Sequence, residues 1–220
     1  CDHPDIEEFA RVKTDVDRVT KANMSIRVSD DFMHAVEDKT IYPQGFYRPE
    51  TDKYTIRELD ARKFFTEMCD ANYDYGEPGC LFWDRISSWN MLSEYDDFEY
   101  AGTNPCGEEP LPAGGSCLLG CLNLAAFVED GCFQWGDFKC AIATSVPALN
   151  DVLDEGQPLH PLEEQRESVR DWRQIGLGIM GLADMLIKLE IGYDSLMGKV
   201  VAHCVAYHMI TTAIEESNKL

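Results

Sequence analysis

The stretch from Glu99 to Val128 reads EYAGTNPCGEEPLPAGGSCLLGCLNLAAFV, a connection rich in proline and glycine between two flanks with the pattern of ordered elements. It holds three cysteines, Cys106, Cys117 and Cys121. Pro105 fixes its own φ and disfavours the helical region for the residue before it. Gly107 allows a tight turn and a close approach by a ligand. Such a stretch fits either a loop that carries chemistry or a plain Pro/Gly-rich connection.

The five residues from Asn104 to Glu108 carry the most specific chemical pattern. If they are extended, the side chains of Asn104, Cys106 and Glu108 point to the same side. A carboxylate next to a cysteine disfavours the thiolate, so nucleophilic catalysis by this thiol is a poor fit. A neutral thiol that gives up a hydrogen atom fits better. Glu108 is then the candidate general base for a substrate hydroxyl, and Asn104 the residue that positions that hydroxyl.

A second thiol follows at Cys117. The turn-forming residues between it and Cys106 favour a fold-back that brings the two cysteines together, which would let Cys117 supply reducing equivalents by disulfide exchange. The alternative is a Pro/Gly-rich hairpin with incidental buried cysteines, because a free cysteine is commonly a small buried hydrophobe. Composition alone leaves both open.

Composition sets the broad class. The chain has 220 residues, 45% of them hydrophobic, enough for one sizeable core or two small ones. Its 40 acidic against 19 basic residues give a net charge of −21, which argues against duplex nucleic acid and anionic membranes as partners. We expect neither a membrane span nor a signal peptide. Nine cysteines with irregular spacing argue against an extracellular disulfide framework, so we expect a cytoplasmic protein.

Two further motifs fail in their context. The segment GLGIMG, with Gly176, Gly178 and Gly181, matches the dinucleotide-binding fingerprint, but the charged stretch before it is no candidate for the required buried strand. Close backbone packing at a helix start explains these glycines better. Cys117 and Cys121 have the spacing of a zinc pair, but no second tight pair follows, and we predict no metal site.

Periodicity predicts an alternation of helices and strands, hence an α/β architecture. Helices are expected over residues 4–12, 56–73, 136–153, 182–191 and 196–214, with a short one capped by Ser29. A strand is expected near residues 24–28, and another after the turn at 76–79. Residues 121–128 fit a buried strand or a helix start, and residues 41–54 have an irregular composition.

Several segments resemble ribonucleotide reductases in the expected order. GTNPCGEEPLPAGGSCLLG is similar to their radical-bearing finger loop, above all in the adenosylcobalamin-dependent (class II) branch. DHPDIEEFARVKTDVDRVTKANMSIRVSDDFM before the loop, WDRISSWNMLSEY next to it, and ALNDVLDEGQPLHPLEEQRESVRDWRQIGLGIMGLADMLIKLEIGY after it also match the family. The resemblance implies part of a ten-stranded α/β barrel with a central finger loop. Residues 1–220 are then a fragment of the catalytic barrel domain, with the finger loop at about 101–117.

The resemblance also implies roles. Cys106 becomes a thiyl radical that removes the 3′ hydrogen of the ribose, Glu108 is the base at the 3′ hydroxyl, and Asn104 binds the substrate. Cys117 is one member of the redox dithiol, and its partner lies upstream of this chain. Adenosylcobalamin is the implied cofactor. The implied partners are a ribonucleotide substrate, an effector nucleotide bound near residues 13–21, a thioredoxin-like reductant and a second copy of the chain in a homodimer.

This sequence departs from the family pattern in places. Cys121 stands where a serine is expected, and a third thiol would be able to divert the disulfide. Family members are much longer than 220 residues, so we expect the isolated chain to be inactive or marginally stable. The alternatives are a class I large subunit, whose radical comes from a separate metal-containing subunit, a non-catalytic remnant that binds nucleotide or a partner chain, and a zinc-stabilised binding module.

Overall fold

The computed structural model describes residues 1–15, 19 and 21–220. The chain forms two compact units, Cys1–Pro110 and Leu111–Leu220. Both mix helices with short strands, as the alternating hydrophobic periods predict. Within the described residues, no helix has the length and apolarity that a membrane crossing needs.

The first unit contains a parallel strand pair, an antiparallel hairpin and the helices that cover them. In chain order its elements are α1 (Ile6–Arg11), a 3₁₀ turn (Val12–Thr14), β1 (Ser25–Val28), α2 (Asp30–Asp38), β2 (Ile41–Arg48), β3 (Lys53–Asp60), α3 (Ala61–Tyr75), β4 (Gly79–Phe82), α4 (Trp83–Ser88), β5 (Gly102–Thr103) and β6 (Pro110–Leu111), in which the boundary between the units falls.

The core of the first unit forms beneath β1 and β4, which pair in parallel. Ile26 and Val28 alternate along β1 and are each 1% exposed, against the buried rings of Phe32 and Phe64. The predicted strand and the predicted cap are both confirmed, because the Ser29 side chain accepts a hydrogen bond from the Phe32 amide at the start of α2.

The segment after α2 differs from the prediction. Strands β2 and β3 form a continuous antiparallel hairpin, so the expectation of an irregular segment over residues 41–54 is wrong. The expected helix over residues 56–73 also starts too early, since α3 begins at Ala61 with Asp60 as its cap. Ile56 is 73% exposed in β3, but its spacing from the apolar residues of α3 matches the helical period, so the pattern extends the predicted helix back to it.

The second unit is a parallel strand pair packed against two long helices. Its elements are β7 (Leu118–Asn123), a 3₁₀ turn (Leu124–Phe127), β8 (Val128–Glu129), β9 (Cys132–Phe133), α5 (Trp135–Gly156), a 3₁₀ turn (Gln157–Leu159), α6 (Glu163–Trp172), β10 (Ile175–Met180), α7 (Leu182–Lys188) and α8 (Leu196–Ser217). Its core contains Leu124, Phe138, Ile142, Met185, Leu186 and Val205.

The glycine motif lies in this second unit. Gly176 and Gly178 belong to β10 itself, which pairs in parallel with β7, and only Gly181 lies at a helix start. The interpretation of close packing at a helix start is therefore right for Gly181, whose φ is +72°, and wrong for the other two. Gly178 lies opposite Cys121 in the ladder, and a Cβ there would come 3.3 Å from the Cys121 sulfur. A glycine is favoured where two strands approach this closely.

Candidate active site

Backbone hydrogen bonds close the loop that carries Cys106, named here the cysteine loop (residues 101–109). The Gly107 amide donates to the Asn104 carbonyl at 3.1 Å, and the φ of Gly107 is +85°. The Asn104 amide donates to the Glu109 carbonyl at 3.1 Å, and the Glu109 amide donates to the Asn104 side-chain oxygen at 3.0 Å. Asn104 thus closes the turn through its hydrogen bonds with Gly107 and Glu109, a role that the sequence did not predict.

The loop is a turn and not an extended segment. Because Pro105 and Cys106 are the central residues of a turn closed onto Asn104, alternation along a strand does not explain which way the side chains of Cys106 and Glu108 point. The expectation of an extended segment over residues 104–108 is therefore wrong. The catalytic roles of the three side chains stay a prediction.

The reactive groups of the cysteine loop are open to solvent in this chain. Cys106 and Glu108 are exposed, and Asn104 is half-buried. Cys106 is a free thiol. The family resemblance implies that the loop points into a barrel, so its burial in a longer chain also stays a prediction.

Cys117 lies in the second unit, half-buried and directly before β7. The glycines before it form turns, as predicted: the Gly115 amide donates to the Pro112 carbonyl at 3.0 Å, and Gly114 has a φ of +66°. Because Cys106 belongs to the first unit, the fold-back that would bring the two sulfur atoms together remains a prediction.

Cys121 is exposed on strand β7. The three steps from Leu118 to Cys121 span about 10 Å along a strand, whereas disulfide-bonded cysteines have their Cα atoms about 4.4–6.8 Å apart. The strand therefore disfavours a Cys117–Cys121 disulfide. That Cys121 diverts the redox pair by another pairing stays a prediction. All nine cysteines are present as thiols.

No metal site is assembled in the part of the chain that the structure describes. Among residues 1–15, 19 and 21–220, no three His, Cys, Asp or Glu side chains are grouped so that they could hold an ion. The zinc-stabilised module therefore has no ligand set there. The effector segment predicted over residues 13–21 contains four residues outside the described ones, namely Val16, Asp17, Arg18 and Thr20.

Three residues next to the cysteine loop were missed from the sequence. Arg27 in β1, Leu81 in β4 and Trp83 in α4 contact the loop or one another. Alternation along β1 was a usable signal for Arg27, because burial of Ile26 and Val28 leaves the residue between them on the opposite face. No comparable pattern marked Leu81.

Comparisons with known proteins agree with this fold. The family model described as "Ribonucleotide reductase, barrel domain" matches residues 1–220. The chain is similar to a vitamin B12-dependent ribonucleoside-diphosphate reductase of Thermoplasma acidophilum, with 36% identity over 195 residues that cover 88% of this chain and 24% of that protein. It is also similar to the protein of that name from Mycobacterium tuberculosis, with 37% identity over 194 residues that cover 88% of this chain and 26% of that protein.

The solved structure of an Actinobacillus ureae class Id ribonucleotide reductase alpha subunit has the same fold, with a TM-score of 0.78 at 18% identity over 99% of this chain and 39% of that one. The predicted fold class, part of a ribonucleotide reductase barrel, is therefore confirmed. The chain spans about a quarter of the length of the curated relatives it matches.

Proposed function

Because this chain belongs to the ribonucleotide reductase barrel-domain family, we propose that it is part of the catalytic chain of an enzyme that reduces ribonucleotides to 2′-deoxyribonucleotides. The observation that carries the proposal is the free, exposed Cys106 thiol in a turn closed by Asn104, with Glu108 two residues on. These groups support the proposal because they combine a thiol that can give up a hydrogen atom, a carboxylate that can act as a base and an amide that can bind a hydroxyl.

In the proposed reaction, Cys106 first loses a hydrogen atom and becomes a thiyl radical. That radical takes the 3′ hydrogen of the ribose, while Glu108 accepts the 3′ hydroxyl proton and Asn104 orients the hydroxyl. The 2′ hydroxyl leaves as water. Cys117 and a cysteine upstream of this chain supply two electrons and two protons and become a disulfide. Cys106 then returns its hydrogen atom to the 3′ carbon and is a thiyl radical again, while Glu108 returns its proton to the 3′ oxygen.

The relatives named above are vitamin B12-dependent by name, which supports adenosylcobalamin as the radical source. The bound cofactor would supply the radical that starts the cycle. Cys106 is the residue of this chain that would react with the cofactor's radical, because an exposed free thiol carries a weakly held hydrogen atom. We assign no residue of this chain to the corrin ring.

The proposed partners are a ribonucleotide, an effector nucleotide, a thioredoxin-like protein that reduces the disulfide, and a second copy in a homodimer. Nine cysteines with irregular spacing argue against an extracellular disulfide framework, so we propose the cytoplasm. A class I large subunit is the second candidate. The likeness to a class Id subunit is one of fold alone, at 18% identity, and does not favour the class I candidate. Whether turnover depends on cobalamin separates the class I candidate from the class II candidate.

The test is the substitution Cys106→Ser in the complete reductase chain that we propose contains this segment. We expect deoxyribonucleotide formation with adenosylcobalamin and a dithiol to fall by at least about 10³-fold, because a serine hydroxyl does not replace a thiol in hydrogen-atom transfer. Circular dichroism should show an unchanged fold. The matched control is Cys140→Ser, an exposed cysteine in α5, which should keep turnover within about twofold. Full turnover by the Cys106→Ser chain would exclude the proposal.

A further inference from the structure

One rung of the first unit's parallel strand pair lies directly beneath the cysteine loop. Arg27 of β1 and Leu81 of β4 are register partners, so their side chains lie on the same face of the pair. Ile26 and Val28, which flank Arg27 in β1, point into the core. The face opposite the core therefore presents Arg27 and Leu81 to the loop.

Leu81 supports the turn itself. A Cβ built on Gly107 would come 3.3 Å from a terminal methyl carbon of Leu81, which is closer than most real Cβ contacts. The Leu81 side chain therefore borders the space that a side chain at Gly107 would enter, next to the Gly107 backbone. Since Cys106 is the preceding residue, the Leu81 side chain lies next to the part of the turn that carries the thiol.

Arg27 supports the base of the loop. One of its terminal nitrogens donates to the Ala101 carbonyl at 3.4 Å, and its guanidinium carbon lies 4.7 Å from the centroid of the Trp83 ring. A guanidinium over an indole face is attracted by the negative face of the ring. Trp83 thus holds the guanidinium where it meets Ala101, the residue before β5.

We propose that Arg27, Leu81 and Trp83, named here the platform, are positioning residues for the Cys106 radical, and this proposal rests on the function proposed above. The platform holds the loop at its base and at its turn, on either side of the reacting sulfur. Transfer of a hydrogen atom needs the sulfur in near-contact with the 3′ carbon, and a misplacement of about 1 Å can reduce a rate by about 10²-fold.

The first measurement needs no turnover. Hydrogen exchange of the Asn104, Gly107 and Glu109 amides, which form the bonds that close the loop, is followed in the complete chain and its variants. We expect Arg27→Ala to speed their exchange by at least about fivefold, because the loop opens locally when its base is released. The matched control is Arg62→Ala, which removes an exposed arginine of α3.

The second measurement is kinetic. Arg27→Ala should lower kcat about tenfold with KM within about twofold, because substrate still binds but the sulfur is misplaced. Arg27→Lys should recover part of the loss, since an ammonium still sits over Trp83 but lacks the planar fork of donors. Arg62→Ala should leave both parameters within about twofold.

The outcomes separate the two proposals. If the unsubstituted chain makes no deoxyribonucleotide, the proposed function fails, and with it the platform's role in catalysis. If that chain is active, the platform is overturned by unchanged amide exchange in Arg27→Ala, by faster exchange with unchanged kcat, or by a raised KM at constant kcat, which would make Arg27 a substrate-binding residue.

Discussion

Gly107 occupies a backbone conformation that few other residues adopt. Its φ is +85°, and a Cβ there would press on Leu81 at 3.3 Å. Gly107→Ala would therefore combine strain with crowding next to Cys106, at a cost of about 1–3 kcal/mol. We expect a lower unfolding temperature and faster amide exchange in the cysteine loop. Gly102→Ala is the control, because a Cβ at that glycine meets nothing within 4 Å. Equal effects of the two substitutions would contradict this account of Gly107.

The sequence singles out three side chains of the cysteine loop, whose roles stay a prediction, but it does not predict how the loop is folded. Asn104, Cys106 and Glu108 were singled out because an amide, a thiol and a carboxylate at this spacing suit one reaction. The second role of Asn104, as the acceptor for the Glu109 amide, depends on a turn whose closure no periodic pattern records. Leu81 was missed for the same reason, because its contact with Gly107 joins residues distant in sequence.

At the scale of elements, prediction succeeded where one local rule acted alone. The cap at Ser29 and the strand Ser25–Val28 follow from a hydroxyl before a helical pattern and from alternation over a buried face. The hairpin of β2 and β3 was missed because its outer positions carry apolar side chains such as Tyr54 and Ile56, 64% and 73% exposed. Such side chains hide the alternation that identifies a strand.

The hairpin is also joined to the N-terminal segment by a titratable hydrogen bond. The Tyr42 hydroxyl in β2 donates to Asp2 at 2.6 Å and lies 3.3 Å from the Ser29 hydroxyl. Burial, then the hydrogen bond to Asp2, raises the pKa of Tyr42 to about 12. The pKa of a tyrosine in an unfolded chain is about 10. The folded chain therefore holds this proton more tightly, so the contribution to stability is complete below pH 10 and is lost as the pH rises toward 12.

Tyr42→Phe tests this link between β2 and the N-terminal segment. The stability advantage of the unsubstituted chain over Tyr42→Phe should shrink between pH 10 and 12, by about 1 kcal/mol or less because the half-buried hydroxyl is screened by solvent. Urea unfolding at several pH values measures it. Tyr73→Phe, at a residue 90% exposed, is the control. A change with pH no larger than that of the control would show that the Tyr42 hydrogen bond does not couple to stability.

At the scale of the molecule, the long helix α8 presents apolar side chains to solvent. The exposed residues recur at spacings of three, four and seven along it: Leu196, Val200, Tyr207, Ile210 and Ile214. A contiguous exposed apolar stripe is typical of a surface that another segment or chain covers. This fits the match to a barrel family whose curated members are about four times as long as the matched region. Periodicity predicted the helix correctly but carries no information about what lies against it.

The purified 220-residue chain should therefore form no deoxyribonucleotide with adenosylcobalamin, a dithiol and a ribonucleotide. The reason is chemical as well as structural. The resemblance places the partner of Cys117 upstream of Cys1, and without that second thiol the two electrons that release the 2′ hydroxyl as water have no source within the site. The complete reductase chain, assayed in parallel, is the positive control, and its Cys117→Ser variant should fail in the same way as the short chain. Turnover by the short chain would show that Cys117 pairs within it, and would move the redox partner to another of its nine cysteines.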